Sequence, residues 1–126
     1  MKIGFIGHKT PERLSGEEKS IEEWIRLCLS TFDCTEANIS LGNRGSREIF
    51  TKVVSDLHIP LNVYGLIVSK FTEETDLESD KYMIDDCDTI LAVFDGIRIG
   101  NTWLAVQYAE SIGKTVIYYQ WRKNYT

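Results

Sequence analysis

Three short polar segments each follow an apolar run, and each places glycine beside hydrogen-bonding side chains. They are Gly7-His8-Lys9, then Gly42-Asn43-Arg44-Gly45-Ser46-Arg47, and finally Asp95-Gly96 together with Gly100-Asn101-Thr102-Trp103. Glycine permits a sharp exit from a strand and the close approach of a ligand. Where such a segment opens a helix, free backbone N–H groups and the helix macrodipole favour a phosphate. The chemistry to expect is therefore the binding of an anion.

The first two segments carry most of the candidate positive charge. His8 can donate to a phosphate or a ribose, and Lys9 adds charge beside it. In the second segment, Arg44 offers a planar fork for a phosphate or carboxylate, and Arg47 adds a further charge. Its two glycines and the helix entry at Ser46 are typical of an anion-binding turn. The alternative for the first segment is a solvated loop with a structural histidine, and an ordinary helix-entry turn explains the second segment equally well.

The third segment lies within a complete βαβ unit. Residues 88–117 contain an apolar strand, the polar glycine-bearing turn, a helix and a second apolar strand. In open parallel sheets, ligands bind at the carboxyl ends of the strands. The hydroxyl of Thr102 can face a phosphate there, Asp95 can accept from a sugar hydroxyl, and Trp103 can stack on a base. Asp95 as a plain turn residue and Trp103 as a core residue are the structural alternatives.

The rest of the chain supplies the elements that position these segments. Apolar runs predict strands over residues 2–6, 37–41, 61–68, 89–94 and 115–119. Helical spacing of apolar residues predicts helices beginning at Glu17 and Ser46, then an acidic solvated loop over 73–80 and a short helix over 79–87. The order predicts a Rossmann-like α/β three-layer sandwich, with a mostly parallel five-stranded sheet and helices on both faces. Such a sheet gathers the three segments at one edge.

Composition limits the classes of function. The 126 residues predict one domain, 1–126, and the net charge of −5 argues against extended nucleic-acid binding. No apolar run approaches the roughly 20 residues that span a bilayer, and the polar start does not resemble a secretion signal. The three cysteines lack metal-binding spacing and are expected to be reduced thiols of a cytoplasmic protein. We expect neither a metal nor a cofactor.

These motifs resemble those of the SLOG superfamily, which includes YpsA-type proteins, lonely-guy phosphoribohydrolases and the DNA-processing protein DprA. The YpsA-like branch is the most similar. The similarity rests on Gly7-His8-Lys9, on Gly42 to Gly45, and on the run from Met83-Ile84-Asp85 through Asp88, Asp95-Gly96 and Gly100-Asn101-Thr102. It spans nearly the whole chain, is strongest over residues 79–118 and is weakest over 58–78.

The resemblance implies a nucleotide or nucleotide-derived ligand held across the three segments, and a homodimer or higher homo-oligomer. Members range from enzymes that cleave N-glycosidic bonds to sensor domains that hold a signalling nucleotide, including those of phage defence. The enzymes place a catalytic glutamate three residues after the threonine of the third segment, where this chain has Ala105. Alanine can neither attack a sugar carbon nor relay a proton. The expectation is therefore a binding module: a sensor, a carrier or a sequestering protein.

Two alternatives remain at this point. One is an enzyme that cleaves or transfers at the N-glycosidic bond of a nucleotide or nucleoside, like a phosphoribohydrolase or a deoxyribosyltransferase, with Asp95 or Glu48 as acid or base. The other is a protein-interaction module on a Rossmann-like scaffold, because a fold does not by itself determine function.

Overall fold

Strands and helices alternate along the chain. The computed structural model describes residues 1–8, 16–41, 46–65 and 72–120. The strands are β1 (Lys2–Gly7), β2 (Glu36–Ser40), β3 (Leu61–Tyr64), β4 (Thr89–Val93) and β5 (Thr115–Tyr118). The helices are α1 (Glu18–Thr31), α2 (Ser46–Asp56), α3 (Glu73–Asp85) and α4 (Gly100–Ser111). None of these helices is both long enough and apolar enough to cross a bilayer.

The described strands form one sheet in the order β3-β2-β1-β4-β5. Every neighbouring pair is parallel, which confirms the predicted Rossmann-like architecture. The chain builds outward from β1 to β3 and then returns to place β4 on the other side of β1. The strand order therefore reverses between β1 and β4, the position where doubly wound sheets open a crevice for ligands.

Apolar side chains cover both faces of the sheet. On one face, α1 and α2 pack against the sheet, and Phe5 of β1 stacks on Phe50 of α2 with ring centroids 4.9 Å apart. On the other face, α3 and α4 bury Met83, Ala105 and their neighbours against Ile6. Side chains of a strand alternate between faces, so β1 contributes to both cores. This double packing fixes the carboxyl end of β1 in the middle of the sheet edge.

The three cysteines are free thiols. Burial raises the pKa of Cys28 to about 11. Burial likewise raises the pKa of Cys87 to about 12, against a smaller opposing effect of the Asn38 amide. At neutral pH these two sulfurs are therefore protonated and weakly nucleophilic, as expected for packing residues.

The prediction of an acidic loop over residues 73–80 is wrong, because α3 contains most of the predicted short helix and begins earlier, at Glu73. Thr72 caps the helix by accepting from the Thr75 backbone N–H, and the Thr75 hydroxyl accepts from the Thr72 backbone N–H. Acidic residues in the first turn suit the positive end of the helix macrodipole. Asp80 points inward and accepts a hydrogen bond from the Ser40 hydroxyl. Strand β3 ends at Tyr64, and residues 66–68 of the longer predicted strand lie outside the described ranges.

Tyr64 makes the stability of the fold sensitive to alkaline pH. Burial, with the Asp86 carboxylate that accepts from its hydroxyl, raises the pKa of Tyr64 to about 12. The unfolded value is about 10, so the folded state holds the proton more tightly. This contribution to stability is complete below about pH 10 and is lost as the pH rises towards 12.

We therefore expect the urea midpoint of the wild type to fall more steeply across that window than the midpoint of Tyr64→Phe. Tyr82→Phe is the matched control, since Tyr82 is 52% exposed on α3. Equal slopes for the wild type and Tyr64→Phe would contradict the assignment.

Candidate functional site

The carboxyl ends of β1 and β4 lie side by side. Gly7 is in register with Val93, so the peptide after β1 and the peptide after β4 leave the sheet together. This juxtaposition brings Gly7-His8 of the first predicted segment next to Asp95-Gly96 of the third. The position is also where the strand order reverses. We call this region the β1–β4 rim, defined by Gly7, His8, Asp95 and the first turns of α2 and α4.

Ser46 joins the start of α2 to the end of β1. Its backbone N–H and its hydroxyl both donate to the His8 carbonyl, at 3.1 and 3.0 Å. The residue is fully buried. These two donors are engaged within the protein, so Ser46 contributes to the rim by fixing where α2 begins.

Gly7 is the residue that allows this close approach. A Cβ atom at this position would clash with the Ser46 Oγ and would lie 2.9 Å from the Phe5 ring. The need for glycine here therefore arises from packing between β1 and α2, in addition to the sharp exit from the strand that the sequence suggests.

His8 and Asp95 contact each other. His8 is 2% exposed, and its Nε2 accepts a hydrogen bond from the Asp95 backbone N–H at 2.9 Å. The Asp95 Oδ1 lies 3.4 Å from the same nitrogen and accepts from the Ile97 backbone N–H at 2.9 Å. Sequence reasoning treats His8 as a donor to phosphate and Asp95 as an acceptor from sugar. In the folded chain, the Nε2 and Oδ1 atoms hold the turn after β4 in shape.

The first turn of α4 is anchored at two points. The Thr102 hydroxyl donates to the Gly7 carbonyl at 3.3 Å, and the Asn101 side-chain amide donates to the Glu73 carbonyl of α3 at 2.8 Å. Gly100 is exposed and has a φ of +85°. Backbone N–H groups in a first turn have no carbonyl partner within the helix. The amides of residues 100–102 therefore form the part of the rim best suited to an anion.

Gly96 also has a positive φ, +87°, in the turn between β4 and α4. Residues with a side chain rarely adopt this left-handed conformation. The turn thus places backbone atoms without a side chain at the rim, next to Asp95. Trp103 lies in the first turn of α4 and is half-buried.

Arg47 lies on the β2 side of the rim. Its Nη1 donates to the carbonyl of Ser40 at 3.1 Å and to that of Leu41 at 3.4 Å. The guanidinium therefore covers carbonyl groups at the carboxyl end of β2. Five predicted contact residues lie outside the described ranges: Lys9, Gly42, Asn43, Arg44 and Gly45.

Two positions bear on the catalytic alternative. Ala105, where the resembling enzymes carry glutamate, is fully buried among the side chains packed between α4 and the sheet. Glu48 is exposed on α2 and lines an apolar groove of about 500 Å³ with Ile39 and Val63, on the β2–β3 side of the sheet. Neither position places a carboxylate at the start of α4.

Sequence reasoning missed two neighbours of the rim. The Phe94 ring lies 6.2 Å from the His8 ring, centroid to centroid. Asp80 is 4% exposed and accepts a hydrogen bond from the hydroxyl of Ser40, the last residue of β2. The helical spacing of Asp80 before Met83 and Ile84 is a signal that could have placed it on the buried side of α3. Within the described ranges, no cluster of three His, Cys, Asp or Glu residues has the geometry to hold a metal ion.

Comparison with known proteins assigns no family to the chain. No protein-family model matches it, and no curated protein sequence does. The resemblance to the SLOG superfamily therefore stays a prediction that rests on the motifs. Function has to be inferred from the geometry of the rim.

Proposed function

We propose that the chain binds a nucleotide or a nucleotide-derived small molecule at the β1–β4 rim, as a sensor, carrier or sequestering module. One observation supports this most strongly. The starts of α2 and α4, from opposite faces of the sheet, donate to the adjacent carbonyls of His8 and Gly7. Two helix N-termini are thereby held at the same strand end, at the reversal of strand order.

An anionic group suits this arrangement for electrostatic reasons. Each helix start carries roughly half a positive charge from its macrodipole, and the first-turn amides of α4 are donors without intrahelical acceptors. In the sequence, Lys9 directly follows His8, and Arg44 and Arg47 flank Ser46, so positive side chains neighbour the rim along the chain. The phosphate of a nucleotide suits the rim best, because the same ligand also presents a sugar to Asp95 and a base to Trp103.

Binding without turnover is favoured over catalysis at an N-glycosidic bond. Ala105 offers no nucleophile or proton relay and is fully buried. Asp95 keeps its Oδ1 in the turn that follows β4. Incubation of the protein with nucleotides, nucleosides and NAD, followed by chromatography, tests this choice. Release of free base or ribose phosphate would replace the binding assignment with the enzyme alternative.

The binding proposal predicts a thermal shift. A ligand that binds only the folded state stabilises it by about 2.7 kcal/mol at a hundredfold excess over Kd. For a domain of this size, that corresponds to a rise in Tm on the order of 10 °C. The screen uses mono-, di- and cyclic nucleotides and NAD derivatives on protein freed of co-purifying small molecules. No shift with any of them would favour the protein-interaction alternative.

We also propose, from the resemblance, that the chain forms a homodimer or a higher homo-oligomer. Sedimentation velocity over a range of protein concentrations tests this directly. A single species at the monomer mass of 14.5 kDa at every concentration would contradict it.

A further inference from the structure

We propose that His8 is a positioning residue of the rim, whose neutral imidazole holds the turn after β4 in the binding geometry, and that protonation of this imidazole releases the turn. The effect on ligand affinity rests on the proposed nucleotide-binding function. The effect on the turn itself does not, because it follows from contacts within the chain.

The hydrogen-bond geometry fixes the tautomer of His8. The Asp95 backbone N–H can only donate, and it lies 2.9 Å from Nε2. Nε2 must therefore present a lone pair, and in the neutral ring the proton is on Nδ1. The imidazole is 2% exposed, so water does not readily replace the Asp95 contact. A buried backbone N–H that lacks an acceptor destabilises the folded state. The conformation of the turn therefore depends on the protonation state of the imidazole.

Protonation reverses the role of Nε2. A proton on this nitrogen would face the Asp95 N–H, so two donors would point at each other. An acceptor for the new proton is the Asp95 Oδ1, 3.4 Å away, which already accepts from the Ile97 N–H. If the carboxylate turns towards the imidazolium, that second contact weakens as well. These two hydrogen bonds of residues 95–97 are therefore linked to one proton.

The groups packed around His8 explain why its charge acts on this turn. From the end of β4 come the Asp95 carboxylate and the Phe94 ring. From α2 comes Ser46, which donates to the His8 carbonyl, and α4 contributes Thr102 at the neighbouring Gly7 carbonyl. Among these contacts, Asp95 is the charged partner. The response to protonation is therefore directed at the segment that leads into the first turn of α4.

The direction of the pH effect follows from the geometry. The neutral ring matches the rim described above, so binding is strongest above the titration of His8 and declines below it. We expect the Kd for adenosine monophosphate to rise about tenfold upon protonation of His8, as the pH is lowered from about 8. Ionisation of the ligand phosphate also contributes over this interval, so the decisive quantity is the difference between variants.

Three variants isolate the role of the imidazole. His8→Gln places a side-chain oxygen near the Nε2 position, where it can accept from the Asp95 N–H but does not titrate. His8→Leu removes the acceptor. We expect His8→Leu to bind weakly at every pH. His8→Gln should recover much of the affinity, and its affinity should change with pH only through ionisation of the ligand phosphate. His58→Asn is the matched control, because His58 is the other histidine and is exposed. This variant should keep the wild-type pH profile.

A measurement without ligand separates this inference from the nucleotide proposal. In ¹H–¹⁵N spectra of the free protein, the Asp95 and Ile97 amide signals should titrate with the midpoint of His8, and imidazole ¹⁵N shifts should place the neutral proton on Nδ1. In His8→Gln, these amide signals should not follow a histidine titration. A neutral proton on Nε2, or identical pH responses in wild type and His8→Gln, would overturn the inference whether or not a nucleotide binds.

Discussion

Replacement of Gly100 by aspartate is expected to weaken nucleotide binding strongly while the fold persists. Gly100 opens α4, is exposed, and a Cβ built there meets no atom within 4 Å. Its φ of +85° is strained for most side chains, but asparagine and aspartate tolerate this region best. The new carboxylate would stand among the first-turn amides and repel a phosphate. At about 5 Å and an effective dielectric constant of about 20, the repulsion is about 3 kcal/mol, or on the order of a hundredfold in Kd.

The matched control for this variant is Gly100→Asn, which has nearly the same shape and the same backbone strain but no charge. Calorimetric titration with adenosine monophosphate should show a small loss of affinity for Gly100→Asn and a loss larger by about two orders of magnitude for Gly100→Asp. Thermal melts of the free variants check that both fold. Equal affinities for the two variants would remove the first turn of α4 from the binding site.

Replacement of Gly7 by alanine is expected to destabilise the protein by about 2–3 kcal/mol, as overpacking of a tight contact does. The added methyl group would clash with the Ser46 Oγ and press on the Phe5 ring. To relieve the clash, the start of α2 must move away from β1, which stretches both hydrogen bonds to the His8 carbonyl. The rim would then lose one of its two helix starts.

A double-mutant cycle tests whether this clash is the cause. Ser46→Ala removes the hydroxyl and should cost about 1 kcal/mol, the value of one hydrogen bond. Because the obstructing Oγ is then absent, Gly7→Ala should cost clearly less in the Ser46→Ala background than in the wild type. Urea unfolding of the four proteins measures the coupling. Strictly additive losses would mean that Gly7 is required for a reason other than its contact with α2.

The alternation of strands and helices could be predicted from the sequence because it depends on local periodicity. The apolar run in β4 is buried at every residue, and the helical spacing in α1 buries one continuous stripe. Helix α3 was predicted only in its second part, because the buried side of its first part begins with the polar residues Ser79 and Asp80. The buried Asp80 carboxylate is stabilised by a hydrogen bond from the Ser40 hydroxyl, which is 40 residues away in the chain. No local pattern records such a partner.

The candidate site was predictable in its location but not in its internal contacts. Parallel strands place their carboxyl ends at one edge, so the three segments had to lie along it, whereas the strand order makes the first and third neighbours. The contact between His8 and Asp95 joins residues 87 positions apart. From the sequence, His8 and Asp95 were predicted to contact a ligand. In the folded chain, specific atoms of the two residues face each other. Similarly, the side-chain amide of Asn101 donates a hydrogen bond to the Glu73 carbonyl.

The most direct test of the proposed site is a ¹H–¹⁵N titration of the assigned protein with adenosine monophosphate. Binding at the rim predicts that the largest amide shifts occur at Gly7, His8, Asp95, Gly96 and residues 100–103. The opposite edge of the sheet, at Lys2, Glu36 and Asp86, should remain unchanged. Saturable shifts at that opposite edge, with the rim amides unaffected, would contradict the account.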